Sequence, residues 1–302
     1  MPNKRVLDIR PNEFDQYEGK AILNAIKASE GRTMVSEIIC PAPALFYDVS
    51  NAELSAAFGA DVLLFNMYDV NNPSLNGYPY EGKALLNDIR KKVGRFVGIN
   101  LEPVSKEGLM DEKIEVDPGR IATVENAKKA YQQGAQFLLL TGNPKTGVTN
   151  KEIIESLKAI KKALGDKLVL AAGKMHAAGI GGETAKNIIN ENDVNAFIDA
   201  GADILLVPAP GTVPGISESY VASLVDIAHN RNILALSAIG TSQEGADEHT
   251  IKNIALSAKR AGVDMHHIGD AGFFGIAVPE NIKTYSTVIK GIRHTYRRMA
   301  MK

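Results

Sequence analysis

Four strings in this 302-residue chain resemble one another: FGADVLLF at 58–65, QGAQFLLL at 133–140, AGADILLV at 200–207 and AGVDMHHI at 261–268. Each has the pattern of a helix end, a glycine able to take positive φ just past that end, and an apolar run of strand length. The glycines, Gly59, Gly134, Gly201 and Gly262, are 75, 67 and 61 residues apart, so each interval holds about two βα units. Between and before them lie four further apolar runs, SEIICPA (36–42), RFVGINLEP (95–103), KLVLAAGK (167–174) and NILALSAIG (232–240), which brings the strand count to eight.

Helical patterns with one charged face fill the gaps, among them EGKALLNDIRKKVG, TVENAKKAYQQG, NKEIIESLKAIKKALG, SESYVASLVDIAHN and TIKNIALSAKRAG. Thr149 and Glu152 have the spacing of a capping box. A last helix is expected at about 280–299, and EGKAILNAIKAS near the N-terminus is placed to close the bottom of a barrel. Strands that are apolar on both faces belong in a parallel sheet covered on both sides. Eight βα units in this length fit a closed (β/α)8 TIM barrel of the α/β class better than an open doubly wound sheet. No Pro-, Ser- or charge-rich linker interrupts the series, so residues 1–302 are expected to form one domain, with a helical extension at 1–33 and the barrel at 34–302.

Composition narrows the partners. A formal net charge of −1 argues against a nucleic-acid groove or a polybasic membrane anchor, and no segment approaches the run of apolar residues that a membrane helix requires. The N-terminal MPNKRVLDIRPNEF lacks the apolar core of a signal peptide, so a cytoplasmic location is expected. The basic tail KGIRHTYRRMAMK is assigned to the solvated face of the last helix. Cys40 is the single cysteine, which excludes an internal disulfide and a cysteine-rich zinc site; it is taken as a buried thiol rather than a nucleophile.

Barrels of this kind carry their chemistry at the carboxyl ends of the strands. There the chain offers CPAPALFYD, NMYDVNNPS, NLEP, TGNPKTG, GKMH, PAPGTVPG, SAIGTSQEG and GDAGFFG in order. If the fifth strand stays extended, Lys174 and His176 share a face with Ala172 and project over the mouth. Lys174 then serves as a Schiff-base nucleophile or as a charged anchor for an anion, and His176 moves a proton. The alternative is that extension ends at Gly173 and both side chains lie in a solvated loop, with the glycines of GIGG (179–182) as a turn or cover. Glu102 is a candidate general base. Together with Asp69 it forms a candidate carboxylate pair for a Mg²⁺-like ion. The glycine-rich ends of strands seven and eight, with Gly240, Thr241 and Ser242 in the first and Gly269, Asp270 and Gly272 in the second, are candidate anion-binding loops. Asn66, Asn100, Thr141 and Asn143 are candidate hydrogen-bonding partners for a small polar ligand. His266 and His267 are consecutive, so only one can face the barrel axis while the other packs against helices.

The repeated GADxLL strands, VGINLEP and the IGTS…GDAGFFG ending resemble phosphate-binding barrels, the broad group of phosphosugar lyases and isomerases with the phosphoenolpyruvate mutase and isocitrate lyase relatives. The resemblance covers most of the chain at the level of fold and implies a bacterial enzyme of lyase or isomerase type acting on a small phosphorylated or carboxylated, hence anionic, metabolite. The mutase group carries paired aspartates at a metal-binding strand end, where this chain has only Asp69 in NMYDV. Two other classes stay open. One is a hydrolase, although the D-x-D-x-[TV] string of haloacid-dehalogenase-type phosphatases is absent and DVNNP at 69–73 does not replace it. The other is a barrel that binds a metabolite without turning it over. A homo-oligomer is compatible with either.

Overall fold

The computed structural model describes residues 4–104, 114–177 and 185–301. Eight parallel strands close into a barrel in sequence order: β1 (Thr33–Ile39), β2 (Val62–Asn66), β3 (Phe96–Leu101), β4 (Phe137–Leu140), β5 (Val169–Gly173), β6 (Ile204–Pro208), β7 (Leu234–Ile239) and β8 (Met265–Ile268). Closure is made by β1 pairing with β8, Val35 lying opposite His267. Around the barrel run α2 (Asn51–Ala57), α3 (Leu85–Val93), α4 (Val124–Gln132), α5 (Asn150–Leu164), α6 (Glu191–Asp199), α7 (Glu218–Asn230), α8 (Glu248–Arg260) and α9 (Pro279–Ala300), after an N-terminal α1 (Lys20–Lys27). Among the described residues no helix is long and apolar enough to cross a membrane. The chain forms the TIM barrel that the repeat implied.

The repeat has a physical cause that goes beyond its glycine. Gly59, Gly134, Gly201 and Gly262 all take positive φ, between 89° and 104°, as they reverse the chain out of a helix. The residue two further on, Asp61, Gln136, Asp203 or Asp264, then clasps the preceding strand. Its side-chain oxygen accepts the backbone N–H of Met34, Val97, Leu170 or Ala235, and its own N–H donates to the carbonyl of that same residue. Each clasp ties an even strand to the odd strand before it at the amino-terminal rim. The repeating unit is therefore a pair of βα units, which is why its period is twice that of a single strand.

Side chains alternate between two cores. Val35, Val62, Leu64, Phe96, Phe137, Leu139, Val169, Ala171, Ile204, Leu206, Leu236 and Met265 point inward, where Phe14, Tyr17, Ile22 and Ile26 of the N-terminal segment close the bottom of the barrel. Phe14 and Tyr17 both stack edge-on against Phe96. The alternate residues, such as Leu63, Leu138, Leu170, Ala172 and Leu205, pack outward under the helices. With its lower half plugged by apolar rings, the barrel leaves polar space only at the top.

Two local expectations need correction. Thr149 does cap α5, accepting the Glu152 N–H at 3.5 Å, but the reciprocal bond of a capping box is not made and Glu152 Oε2 has no partner. The basic tail is not wholly a solvated face. α9 kinks at Gly291 (φ 72°, ψ 160°), and Lys290 and Arg298 turn into the protein to pair with the fully buried Asp61 at 2.5 and 2.8 Å. The clasp aspartate of the first repeat is buried among helices and needs counter-charges, which the last helix supplies. Arg293 and Arg297 do face solvent.

Candidate active site

A cavity of about 240 Å³ opens at the carboxyl ends of the strands, where the sequence placed the chemistry. Ten residues singled out from the sequence line it: Asn66, Asn100, Thr141, Asn143, His176, Gly240, Ser242, Gly269, Asp270 and Gly272. Glu37 and Glu244 join them, and sequence reasoning had passed over both.

Glu37 follows from the inward series Val35, Glu37, Ile39 of β1. It is 8% exposed. Its carboxylate meets His267 Nε2 at 3.1 Å on one oxygen and accepts from Asn66 Nδ2 at 3.3 Å on the other. His267 is thus the histidine that faces the axis. His266 packs outward against Tyr285, with its Nε2 3.1 Å from Gly31 O, and burial pushes its pKa down to about 3. Around Glu37 the amides form one network: Asn66 donates to Asn143 Oδ1 at 2.7 Å, and Asn66 Oδ1 accepts from Asn143 at 3.0 Å and from Asn100 at 3.1 Å. A glutamate inside an apolar strand run was the available signal, since a buried carboxylate requires partners such as these.

β5 ends differently from the simple alternation. Its inward residues are Val169 and Ala171, and Met175 continues that series, so Ala172 and not Gly173 lies on the outer face. Extension stops at Gly173, with φ 150°, where an added Cβ would lie 2.1 Å from Leu206 O. The chain then bends, which brings His176 to the cavity although Lys174 does not line it. Lys174 is nevertheless only 1% exposed and is no solvated loop residue. Burial lowers the His176 pKa; Glu37 opposes that shift and the Lys174 charge adds to it. The imidazole is therefore held toward its neutral form, under the opposing influences of the Glu37 and Lys174 charges. The GIGG turn lies outside the described residues.

Glu102 is likewise absent from the cavity surface. It is buried, with one oxygen 2.5 Å from Arg120 Nη2 and the other accepting the Asn143 N–H at 3.2 Å. The Arg120 guanidinium offsets the charge of this carboxylate, which positions Asn143. Asp69 accepts the Asn71 N–H at 2.7 Å beside Gly119 and also lies off the cavity. Asp69 and Glu102 are thus each engaged within the protein and off the cavity, and among the described residues no group of three or more His, Cys, Asp or Glu side chains has a metal-holding arrangement.

The two glycine-rich loops also behave differently from expectation. In the β8 loop the amides are already engaged: Gly269 N–H to Ile239 O, Ala271 N–H to Ile276 O, and Gly272 N–H to the carboxylate of Asp270 at 2.5 Å. Asp270 occupies the position an external anion would take. In the β7 loop Thr241 is not on the cavity; its Oγ1 lies 2.7 Å from both Thr212 O and Gln243 Oε1, fastening the loop to its neighbour. Ser242 lines the cavity in a left-handed conformation, φ 82°, which a non-glycine residue holds only against strain. Gly269 is needed for approach, because a Cβ there would stand 3.0 Å from Glu244 Oε1.

Glu244 is 3% exposed, and its Oε2 has no hydrogen-bond partner. Burial raises its pKa, its own backbone N–H and His267 oppose the shift, and the charges of Glu37 and Asp270 add to it. Asp270 is raised as well, again chiefly by burial. Cys40 is buried at the end of β1 and burial pushes its thiol far up, which removes the nucleophilic thiolate. Ellman's reagent is expected to leave Cys40 unlabelled in the native protein and to label it once on unfolding; rapid native labelling would contradict this burial.

The fold and site define a TIM barrel with a cavity lined by carboxylates, amides and an imidazole at the carboxyl ends of its strands. The chain belongs to the family described as domain of unknown function (DUF7916), whose model matches residues 7–302. No curated protein matches the sequence. Among solved structures, an archaeal fructose 1,6-bisphosphate aldolase superposes with a TM-score of 0.57 at 15% identity, covering 93% of this chain and 99% of that one. A second archaeal fructose-1,6-bisphosphate aldolase structure, with its catalytic Lys covalently bound to the carbinolamine intermediate of the substrate, gives 0.57 at 15% identity over 92% and 98%. At this identity the likeness establishes the shared barrel.

Proposed function

We propose that the protein is an acid–base enzyme of lyase or isomerase type that acts on a small carboxylated or phosphorylated metabolite in this cavity. The observation that carries the reading is Glu37: a buried carboxylate on the cavity wall, braced by His267 and Asn66, in electrostatic contact with a neutral His176. Lyases and isomerases of carbonyl compounds need a group that takes a proton from carbon and donors that hold the resulting oxyanion. Glu37 and His176 are the proton-moving groups. Asn100, Asn143 and Thr141, facing them, are the donors to the substrate oxygens.

Lys174 acts through its charge. It adds positive potential on the β5 side, where the anionic end of the substrate is held, and its absence from the cavity surface argues against a Schiff-base role. The solved aldolases share the fold, and fold alone does not transfer their reaction. A hydrolase gains no support from the cavity, which among the described residues is lined by no cysteine, and the D-x-D-x-[TV] string is absent from the sequence.

The test is proton exchange. The protein is incubated in D₂O with pyruvate, 2-oxobutyrate, glycolaldehyde phosphate and dihydroxyacetone phosphate, and loss of the C–H signal next to the carbonyl is followed by proton NMR. Exchange above the buffer rate, reduced in His176→Ala, is the expected result. Binding of these compounds with no exchange would make the protein a non-catalytic metabolite-binding barrel.

A further inference from the structure

The cavity contains more acceptor capacity than an anionic metabolite alone would use. Three carboxylates, Glu37 of β1, Glu244 of the β7 loop and Asp270 of the β8 loop, line one arc of it, and these three elements are neighbours in the barrel. Their charges act on one another, so they share one region of space. Glu37 has partners in His267 and Asn66, and Asp270 is bonded to the Gly272 N–H. Glu244 is different: 3% exposed, it has one oxygen with no hydrogen-bond partner. Across the barrel a second acceptor is also unmatched. Asn100 donates to Asn66, but its Oδ1, on a residue 3% exposed that lines the same cavity, accepts nothing. A buried acceptor without a donor is costly, so two of them, each on a side chain that lines this one cavity, mark places where a ligand supplies donors.

The kind of donor follows from charge. A neutral hydroxyl satisfies a lone pair but leaves three crowded carboxylates repelling one another, whereas a cation offsets that repulsion. A bare divalent ion is disfavoured, since these side chains do not form a metal-holding group among the described residues. After β5, Lys174 lies behind the cavity wall, and its charge acts on His176, which lines the cavity.

We infer that the substrate is a zwitterionic, amine-bearing metabolite whose ammonium group sits against Glu244 in the Glu37–Glu244–Asp270 arc, with its anionic group toward the Lys174–His176 side. A second donor on the substrate meets Asn100 Oδ1. The inference rests on the proposed reading of this cavity as a substrate site and narrows its substrate class. It also accounts for the glycine at 269, which lets the Glu244 carboxylate approach the β8 backbone, and for the Asp270 turn, which keeps a carboxylate at the loop where a phosphate-binding cradle would have none.

The experiment compares matched pairs that differ only by amine against hydroxyl: serine with glycerate, and 2-aminoethyl phosphate with 2-hydroxyethyl phosphate. Dissociation constants are measured by titration calorimetry on the intact chain. The amine member of at least one pair is expected to bind ten-fold or more tightly than its partner, and Glu244→Gln, which preserves shape, is expected to reduce that preference to about two-fold or less. Should the variant fail to fold, the wild-type preference decides alone, because equal binding of both members, tighter binding of the hydroxyl members, or no binding by either amine overturns the inference. Tight saturable Mn²⁺ binding that is lost in Glu244→Gln overturns it too, in favour of a metal site. Proton exchange with the oxo acids separates the two levels. Exchange without amine preference removes the zwitterionic substrate and keeps the enzyme, whereas amine preference without exchange keeps the site and removes the reaction.

Discussion

Glu37→Gln is expected to lower the exchange or turnover rate by about 10²–10⁴-fold, the range associated with loss of a positioned acid–base group, while the fold stays intact. The substitution is isosteric, and the amide can keep one hydrogen bond to Asn66 or His267, so the barrel wall is not opened. What it removes is the carboxylate that faces both the cavity and His176. Two further readouts separate a chemical role from a packing role. Loss of an interaction made in the transition state lowers kcat and kcat/KM together, whereas loss of simple binding raises KM. The pH profile gives the second. His176 is already lowered by burial, and Glu37 is the group opposing that shift; without it the imidazole stays neutral to lower pH. The acid limb of the profile is therefore expected to move to lower pH in Glu37→Gln. An unmoved limb with an unchanged kcat would place Glu37 outside the chemistry.

Much of the barrel was legible because its determinants are local and repeated. The glycine-led strings announced the helix ends and even strands, and the β5 run announced a strand, although the favoured reading kept it extended past Gly173, where it stops. The role of the following Asp or Gln was not legible, since its partner is the start of the preceding strand, some 27 to 39 residues away. At the site, the amides at strand ends were found by the rule that chemistry collects there, and Asn66, Asn100 and Asn143 do converge. Lys174 and Glu102 share that address but not the cavity. A local bend after Gly173 and an arginine 18 residues downstream decide where those two side chains stand, and neither is encoded in the strand itself. Glu37 and Glu244 were missed for opposite reasons. The first hid inside an apolar run. The second sits in a polar loop where a glutamate ordinarily faces water, and only the closeness of Gly269 shows that it is buried.

The largest effect on stability is expected at Asp61→Ala. Asp61 belongs to the first repeat, yet it holds together parts of the chain far apart in sequence: the Met34 N–H at the start of β1, and Lys290 and Arg298 near the end. All three charged groups are inaccessible to solvent as side chains. Burial works against ionisation of Asp61, but the Lys290 and Arg298 charges hold its carboxyl below the ordinary aspartate range, and burial brings Lys290 down to about 8. Removing the carboxylate leaves two buried cations without a counter-charge, holding backbone carbonyls such as Gly59 O and Ile9 O, beside a third, Arg95, whose bonds also go to backbone carbonyls such as Ala60 O and Arg298 O. Breaking a buried pair from one side costs about 3–5 kcal/mol, which for a barrel of ordinary stability is a large part of the whole. The sign of the pH dependence is fixed by the same shift. A carboxyl whose folded pKa is depressed contributes its stability above its unfolded value, about 4, and loses it as pH falls through the folded value. Denaturant unfolding at pH 7 should therefore show the full deficit in Asp61→Ala, and the gap to the wild type should narrow toward pH 2. The triple variant Asp61→Leu, Lys290→Met, Arg298→Met provides the counter-test: without the charges the pocket can repack, so it is expected to be more stable than Asp61→Ala alone. A single variant within 1 kcal/mol of the wild type would mean that the helix α9 contacts, and not this ion cluster, fasten the carboxyl-terminal segment to the barrel.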